Sequence, residues 1–254
     1  MKFPRSVAFR SVGVAVAFVL LPSLAFAGRY ELVKGKGVEV CEAYKRNLES
    51  FHSAYPMICA RKVNPEINGF EKPVWKDVDT ERDGGRTLLN RVLNYQHAGD
   101  YDQFRRNVYS DVELSEMVAR SRKARVIILS RTDVDIDNDG KLDDVLVYRD
   151  GLCPDTSVSY FATNLFVLKA GPKPGESMID ANNPVERLLR HVVSPEGGHF
   201  TVADLFRYKG TTYIDKYCAF KNRFTGCDDV DILVVFKMKQ DTANEICRYK
   251  FHKN

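Results

Sequence analysis

The chain has 254 residues, 44% hydrophobic and 28% charged, with 38 Lys+Arg against 34 Asp+Glu, six cysteines and one tryptophan. This composition excludes a collagenous, low-complexity or wholly disordered chain, and the length suits one large domain or two small ones. Most of the formal +4 charge comes from the first 27 residues, which are best read before anything else.

Lys2, Arg5 and Arg10 precede an uncharged apolar run from Val12 to Leu21, followed by Pro22 and Ala25-Phe26-Ala27. A basic start, a short apolar stretch and small residues two apart form the pattern of a secretory signal peptide. The run, of roughly ten residues, is half of what a helix needs to cross a bilayer. We therefore expect residues 1–27 to be removed after Ala27, leaving a periplasmic or secreted protein. Without them 35 basic residues face 34 acidic ones, and a near-neutral surface offers no electrostatic footprint for nucleic acid. No membrane span is expected after cleavage, because the most apolar late run, Ile232–Met238, has only strand length. No asparagine begins an N-x-Ser/Thr acceptor, which tilts the source toward bacteria.

Residues 28–37 are Gly-rich and mixed, and read as a lead-in without structure of their own. From Val38 the apolar positions Val38, Cys41, Tyr44, Leu48 and Phe51 recur at helical spacing, and Pro56 ends the pattern. Residues 56–85 carry Pro65, Gly69, Pro73 and Gly84-Gly85, with Phe70, Val74 and Trp75 between them; they read as an extended segment pinned by aromatics. A second helix is predicted over Thr87–Tyr95 and a third over Ser110–Lys123, where Leu114, Met117 and Val118 make a stripe. The basic run Arg120, Arg122, Lys123 and Arg125 reads as a solvated helix end, since cations are favoured near a helix C-terminus.

After Ala124 the pattern changes. Val126–Leu129, Val145–Tyr148, Leu165–Leu168, Leu205–Tyr208, Thr212–Ile214 and Ile232–Phe236 are β-rich apolar runs. Lys209-Gly210 reads as a hairpin turn, and Asn183-Pro184 opens a short helix through Val192. The expected fold class is α+β: a helical N-terminal part, 28–124, followed by a mostly antiparallel β-sheet, 125–254. The two parts can equally form one compact domain over 28–254.

All six cysteines (Cys41, Cys59, Cys153, Cys218, Cys227 and Cys247) follow the signal segment, and an even number in an exported chain points to a disulfide-bonded protein. There is no C-x-x-C, no H-E-x-x-H and no His within four residues of a Cys, so zinc spacing is absent. Proximity favours Cys41 with Cys59; the other four stay open.

The most informative stretch is Asp135-Ile136-Asp137-Asn138-Asp139-Gly140-Lys141-Leu142-Asp143-Asp144. Side chains at loop positions one, three and five converge when the chain wraps, Gly140 permits a sharp turn, and position seven offers a carbonyl. Crowded carboxylates with Lys141 as the nearby counter-charge ask for a hard divalent cation. These ten residues resemble the D-x-D-x-D-G calcium loops of EF-hands and of FG-GAP-type repeats. Position twelve is Leu146 where an EF-hand has Glu, and strand-like runs flank the loop, so the FG-GAP type is the better likeness. The resemblance implies Ca²⁺ held by Asp135, Asp137, Asp139, the Lys141 carbonyl and Asp143. One copy of the motif implies the loop and not a propeller.

No G-x-S-x-G, P-loop or G-x-G-x-x-G occurs after residue 27. The expectation is a non-enzymatic, calcium-stabilised binding or envelope-associated module, whose partner would be a protein or envelope component. Such a module would expose the aromatics Phe200, Phe206 and Tyr208. The alternative is a secreted hydrolase acting on a cell-wall, glycan or phosphoester substrate, with Asp143, Asp144, Glu196 and His199 near its cleft.

Overall fold

Alternation in the later half of the chain builds the sheet. In the computed structural model, residues 29–50, 63–64, 66–97, 116, 127–150, 162–169, 179, 183–192, 201–218 and 228–252 are described. Four strands, β7 (Thr201–Tyr208), β8 (Thr211–Cys218), β9 (Ile232–Lys239) and β10 (Thr242–His252), follow one another as an antiparallel meander. The β7–β8 turn is Lys209-Gly210 as expected, with φ of 48° and 77°, the pair of positive values that two-residue hairpins favour. Along β10, Cys247, Tyr249 and Phe251 are buried while His252 is exposed and Arg248 and Lys250 are intermediate.

The sheet extends in both directions. On one side β10 pairs antiparallel with β1 (Arg29–Lys34), so that Tyr30 faces Phe251 and Leu32 faces Tyr249. On the other, β7 meets β6 (Ala162–Val167) in a parallel contact at Thr163 and Val202, and β6 leads through β5 (Asp143–Asp150) and β4 (Ile127–Val134) to the two-residue β3 (Lys76–Asp77). The short β2 (Phe70–Glu71) pairs with the C-terminal end of β7. All pairings but β6–β7 are antiparallel, so the expected antiparallel sheet is present.

Helices cover both faces. On one face α1 (Glu39–Glu49) lies over β1 and β7–β10, burying Val40, Cys41, Ala43, Tyr44 and Leu48 against Tyr30, Phe206, Leu233, Val235 and Tyr249. On the same face α2 (Asp83–His97) packs Leu88, Leu89 and Val92 on Leu129, Leu146, Tyr148 and Phe166. The residues that alternate with these, among them Val145, Val147, Leu165, Leu205 and Ile214, form the opposite face, where α3 (Pro184–Val192) adds Val185 and Leu189. Asn183 caps α3 as expected, its Oδ1 accepting from the Val185 amide at 2.8 Å. Among the described residues, no helix is long and apolar enough to cross a membrane.

A helical N-terminal part is not supported. Two helices fall near their predicted positions, but the same region supplies β1, β2 and β3 to the common sheet. Residues 29–34, read as unstructured, alternate Tyr30 and Leu32 inward and gain their structure from a partner strand more than two hundred residues away. The predicted helix over Ser110–Lys123 lies outside the described residues except for the helical Glu116.

The expected disulfide bonding is present, but the pairing expected for Cys41 is corrected. Cys41 bonds Cys247, with their Cα atoms 5.5 Å apart, and not Cys59. Proximity in sequence misled because α1 lies across β10, where Tyr249 also donates to the Cys41 carbonyl at 2.7 Å. Gly35 makes this approach possible: at φ 92°, an added Cβ would stand 2.6 Å from both the Cys41 sulfur and the Ile246 carbonyl. Cys218 is also disulfide-bonded, and no free cysteine occurs among the described residues. Cys59, Cys153 and Cys227 lie outside them.

Beneath α1 the apolar face carries two carboxylates. Asp204 and Asp215 oppose each other across β7 and β8, both buried. Asp215 accepts from the Asp204 amide at 3.0 Å and from the Tyr44 hydroxyl, while Asp204 accepts from Lys72 at 3.3 Å. A charge of the other sign is buried on the next residue of β8: Lys216 is 3% exposed, and burial lowers its pKa to about 8 from an ordinary 10.5.

The Cys41–Cys247 bridge spans 206 residues of sequence, so its removal releases much unfolded-state entropy; Cys41→Ala with Cys247→Ala should cost about 2–5 kcal/mol in urea unfolding. A loss below about 1 kcal/mol would mean that strand pairing alone closes the chain. For Lys216, between pH 8 and 10.5 the unfolded chain holds a proton that the folded chain has released, so stability rises with pH there. Relative to Lys216→Met, the wild type should gain on the order of 3 kcal/mol of stability as the pH rises from below 8 to 10.5. Urea midpoints of both proteins at pH 7.5 and 10.5 test it, and a gap that does not change with pH would refute it.

Candidate metal centre

The acidic motif connects β4 to β5, the longest antiparallel pair on that side of the sheet, with rungs from Ile127–Asp150 to Val134–Asp143. Ile136 is fully buried and joins the core cluster of Val134, Val145 and Val147. It holds the loop down on the sheet, whereas Leu142 is exposed. Asn138 and Gly140 adopt positive φ of 59° and 91°, the backbone reversals that Asn tolerates and Gly allows freely.

Within this wrap one oxygen each from Asp135, Asp137 and Asp143 come within 4.8 Å of one another, forming a group that can hold a metal ion. Backbone amides organise it. Asp135 accepts from Asp139 N at 2.9 Å and from Gly140 N at 3.0 Å, Asp137 accepts from Asp139 N at 3.2 Å, and Asp143 accepts from Ile136 N at 3.2 Å. These donors offset part of the repulsion among the carboxylates.

The residual strain shows in protonation. The Asp143 carboxyl is pushed up to about 6, chiefly by burial and further by the charges of Asp137, Asp139 and Asp135, against the lowering effect of the Ile136 amide. Asp137 is also raised, by burial first and then by Asp139. In both, burial and neighbouring charge disfavour the ionised form relative to an isolated aspartate, the condition that a bound cation reverses.

Asp139 and Lys141 behave differently from the other expected ligands. The Asp139 carboxylate accepts from the Lys141 amide at 2.7 Å and from its ammonium at 3.2 Å, and these contacts lower its pKa. It is not one of the three converging carboxylates. Lys141 itself is exposed and paired with Asp139.

Two of the four residues proposed for hydrolysis are described. Asp144 forms a two-point ion pair with Arg131, Asp143 belongs to the acidic group, and Glu196 and His199 lie outside the described residues. The aromatic face expected of a binding module is not formed by Phe206 and Tyr208, which are buried beneath α1 and around Phe70; Phe200 lies outside the described residues. Sequence reasoning passed over Asn138. The one available signal was its position between two ligand-type aspartates, where a residue tolerant of positive φ is needed. The chain matches no protein-family model, no curated protein and no solved structure.

The hydrogen bonds separate two kinds of carboxylate. Asp143→Asn keeps an oxygen for the Ile136 amide and removes a charge from the crowded group, so it should leave stability in EDTA at pH 7.5 unchanged or higher. Asp135→Ala deletes the acceptor of two backbone amides and should cost about 1–2 kcal/mol under the same conditions. Denaturant unfolding of the two variants decides it. Equal losses would show that the crowding is not unfavourable.

Proposed function

We propose that this is an exported, disulfide-stabilised, calcium-binding protein, a binding or envelope-associated module whose contact surface does not include the buried Phe206 and Tyr208. The observation that carries the calcium reading is the convergence of Asp135, Asp137 and Asp143 within 4.8 Å. Oxygen-only donors suit a hard cation, and Ca²⁺ at about 2.3–2.6 Å from each oxygen can bridge such a span. The Lys141 carbonyl and water would complete the shell, with Asp139 recruited only if it leaves Lys141. The signal-type N-terminus and the Cys41–Cys247 bridge support an oxidising compartment outside the cytoplasm, where calcium is abundant enough to fill a weak site.

The role that fits this position is structural. A cation would neutralise the repulsion in the β4–β5 connection and hold it against the sheet, leaving the module's surface to engage a protein or envelope component. With three converging carboxylates and no bidentate Glu, the affinity should be low, with a dissociation constant on the order of 10⁻⁴ to 10⁻³ M.

Calcium at ten times its dissociation constant should therefore stabilise the protein by about 1.4 kcal/mol, a rise of a few degrees in Tm over EDTA. Magnesium should do less, because it needs short octahedral bonds and keeps its water. Asp137→Asn should abolish the calcium-dependent rise. Calorimetric titration together with thermal melts provides the test: no heat of binding and identical Tm in EDTA and millimolar calcium would reduce the loop to a solvated acidic turn.

A further inference from the structure

The side chain that ties the acidic loop to the rest of the molecule is not acidic. Asn138, at the fourth loop position, makes three hydrogen bonds to strands remote in sequence. Its Nδ2 donates to the carbonyls of Thr212 at 3.2 Å and Met238 at 3.0 Å, and its Oδ1 accepts from the Thr212 amide at 2.8 Å. Thr212 is 1% exposed and Met238 fully buried.

The place of this contact in the ladder matters. The paired rungs of β8 and β9 run from Cys218–Ile232 to Ile214–Phe236 and stop there. Continuing the same register would set Thr212 opposite Met238. At that rung the Asn138 amide spans the two strands, offering a donor and an acceptor as a peptide group would. Thr212 meanwhile keeps its pairing with Arg207 of β7.

We infer that Asn138 is the positioning residue of the cation loop, and that it couples occupancy of the loop to closure of the β8–β9 ladder at Thr212 and Met238. This inference rests on the calcium reading above. Asn138 lies between Asp137 and Asp139, so anchoring it fixes the backbone from which Asp137 projects and whose following amides bind Asp135 and Asp137. An ion that needs those carboxylates together binds more tightly to a loop already held in that form. By linkage, whatever factor the anchor adds to calcium affinity, calcium adds to the stability of the anchor.

The test uses the full mature chain, calcium as the probe, and two readouts: calorimetric affinity and hydrogen exchange of the Thr212 amide, which donates directly to Asn138. In the wild type, Thr212 should exchange several-fold more slowly at saturating calcium than in EDTA. Asn138→Gly keeps the positive φ accessible but deletes the anchor; it should weaken calcium binding about tenfold and remove the calcium dependence of Thr212 exchange. Should that variant fail to fold, Asn138→Asp serves. It keeps an acceptor for the Thr212 amide, loses both donated bonds, and adds a negative charge that alone would tighten cation binding, so weaker binding despite the charge supports the inference and tighter binding overturns it. A wild type that binds calcium while Asn138→Gly binds it equally well, or whose Thr212 exchange ignores calcium, overturns the coupling and leaves the calcium reading standing. A wild type that binds no calcium overturns both, and does so without reference to any variant.

Discussion

Repulsion among three carboxylates in a single strand connection is the constraint on which the candidate site depends. Two unit charges about 5 Å apart repel by roughly 3 kcal/mol at an effective dielectric near 20. Asp135, Asp137 and Asp143 are held within that range by amide donors from Ile136, Asp139 and Gly140. A hairpin with no use for the charge would place such side chains outward, where water screens them. Here the burial of Ile136 and the tether at Asn138 oppose that escape, and the raised carboxyls of Asp137 and Asp143 record the conflict.

What could be read from the sequence depended on whether the determining contacts were local. The loop, the Lys209-Gly210 turn, the Asn183 cap and the apolar centres of β5, β7 and β9 were legible, because each is set by a few neighbouring residues. Strand β10 was not, since its buried Cys247, Tyr249 and Phe251 alternate with Arg248, Lys250 and His252, and a search for continuous apolar runs passes over such a pattern. Strand β1 failed for a related reason: Tyr30 and Leu32 make sense only beside Phe251 and Tyr249.

The same distinction explains the cysteines and the four aspartates of the loop. Cys41 and Cys59 are neighbours in the chain, but the helix that carries Cys41 lies across β10, and Cys247 occupies the facing position. Spacing alone made Asp135, Asp137, Asp139 and Asp143 equivalent. The fold divides them, because Asp139 sits where Lys141 can satisfy its carboxylate from both backbone and side chain, while Asp143 is fixed at the start of β5 and accepts only from across the loop among the described contacts.

The strands β8 to β10 are secured by two different means. Helix α1 is fastened to β10 by Cys41–Cys247 and by Tyr249, and to β8 by the Tyr44 hydroxyl on Asp215. These contacts are covalent or buried, and none of them involves the acidic loop. At the loop end Asn138 stands in for a rung that β8 and β9 do not make with each other, and it projects from a segment whose own charges oppose its conformation. On the calcium reading proposed above, neutralising those carboxylates would order the contact at Thr212 and Met238 without any change in overall fold, because α1 and β10 are already joined by the Cys41–Cys247 bridge.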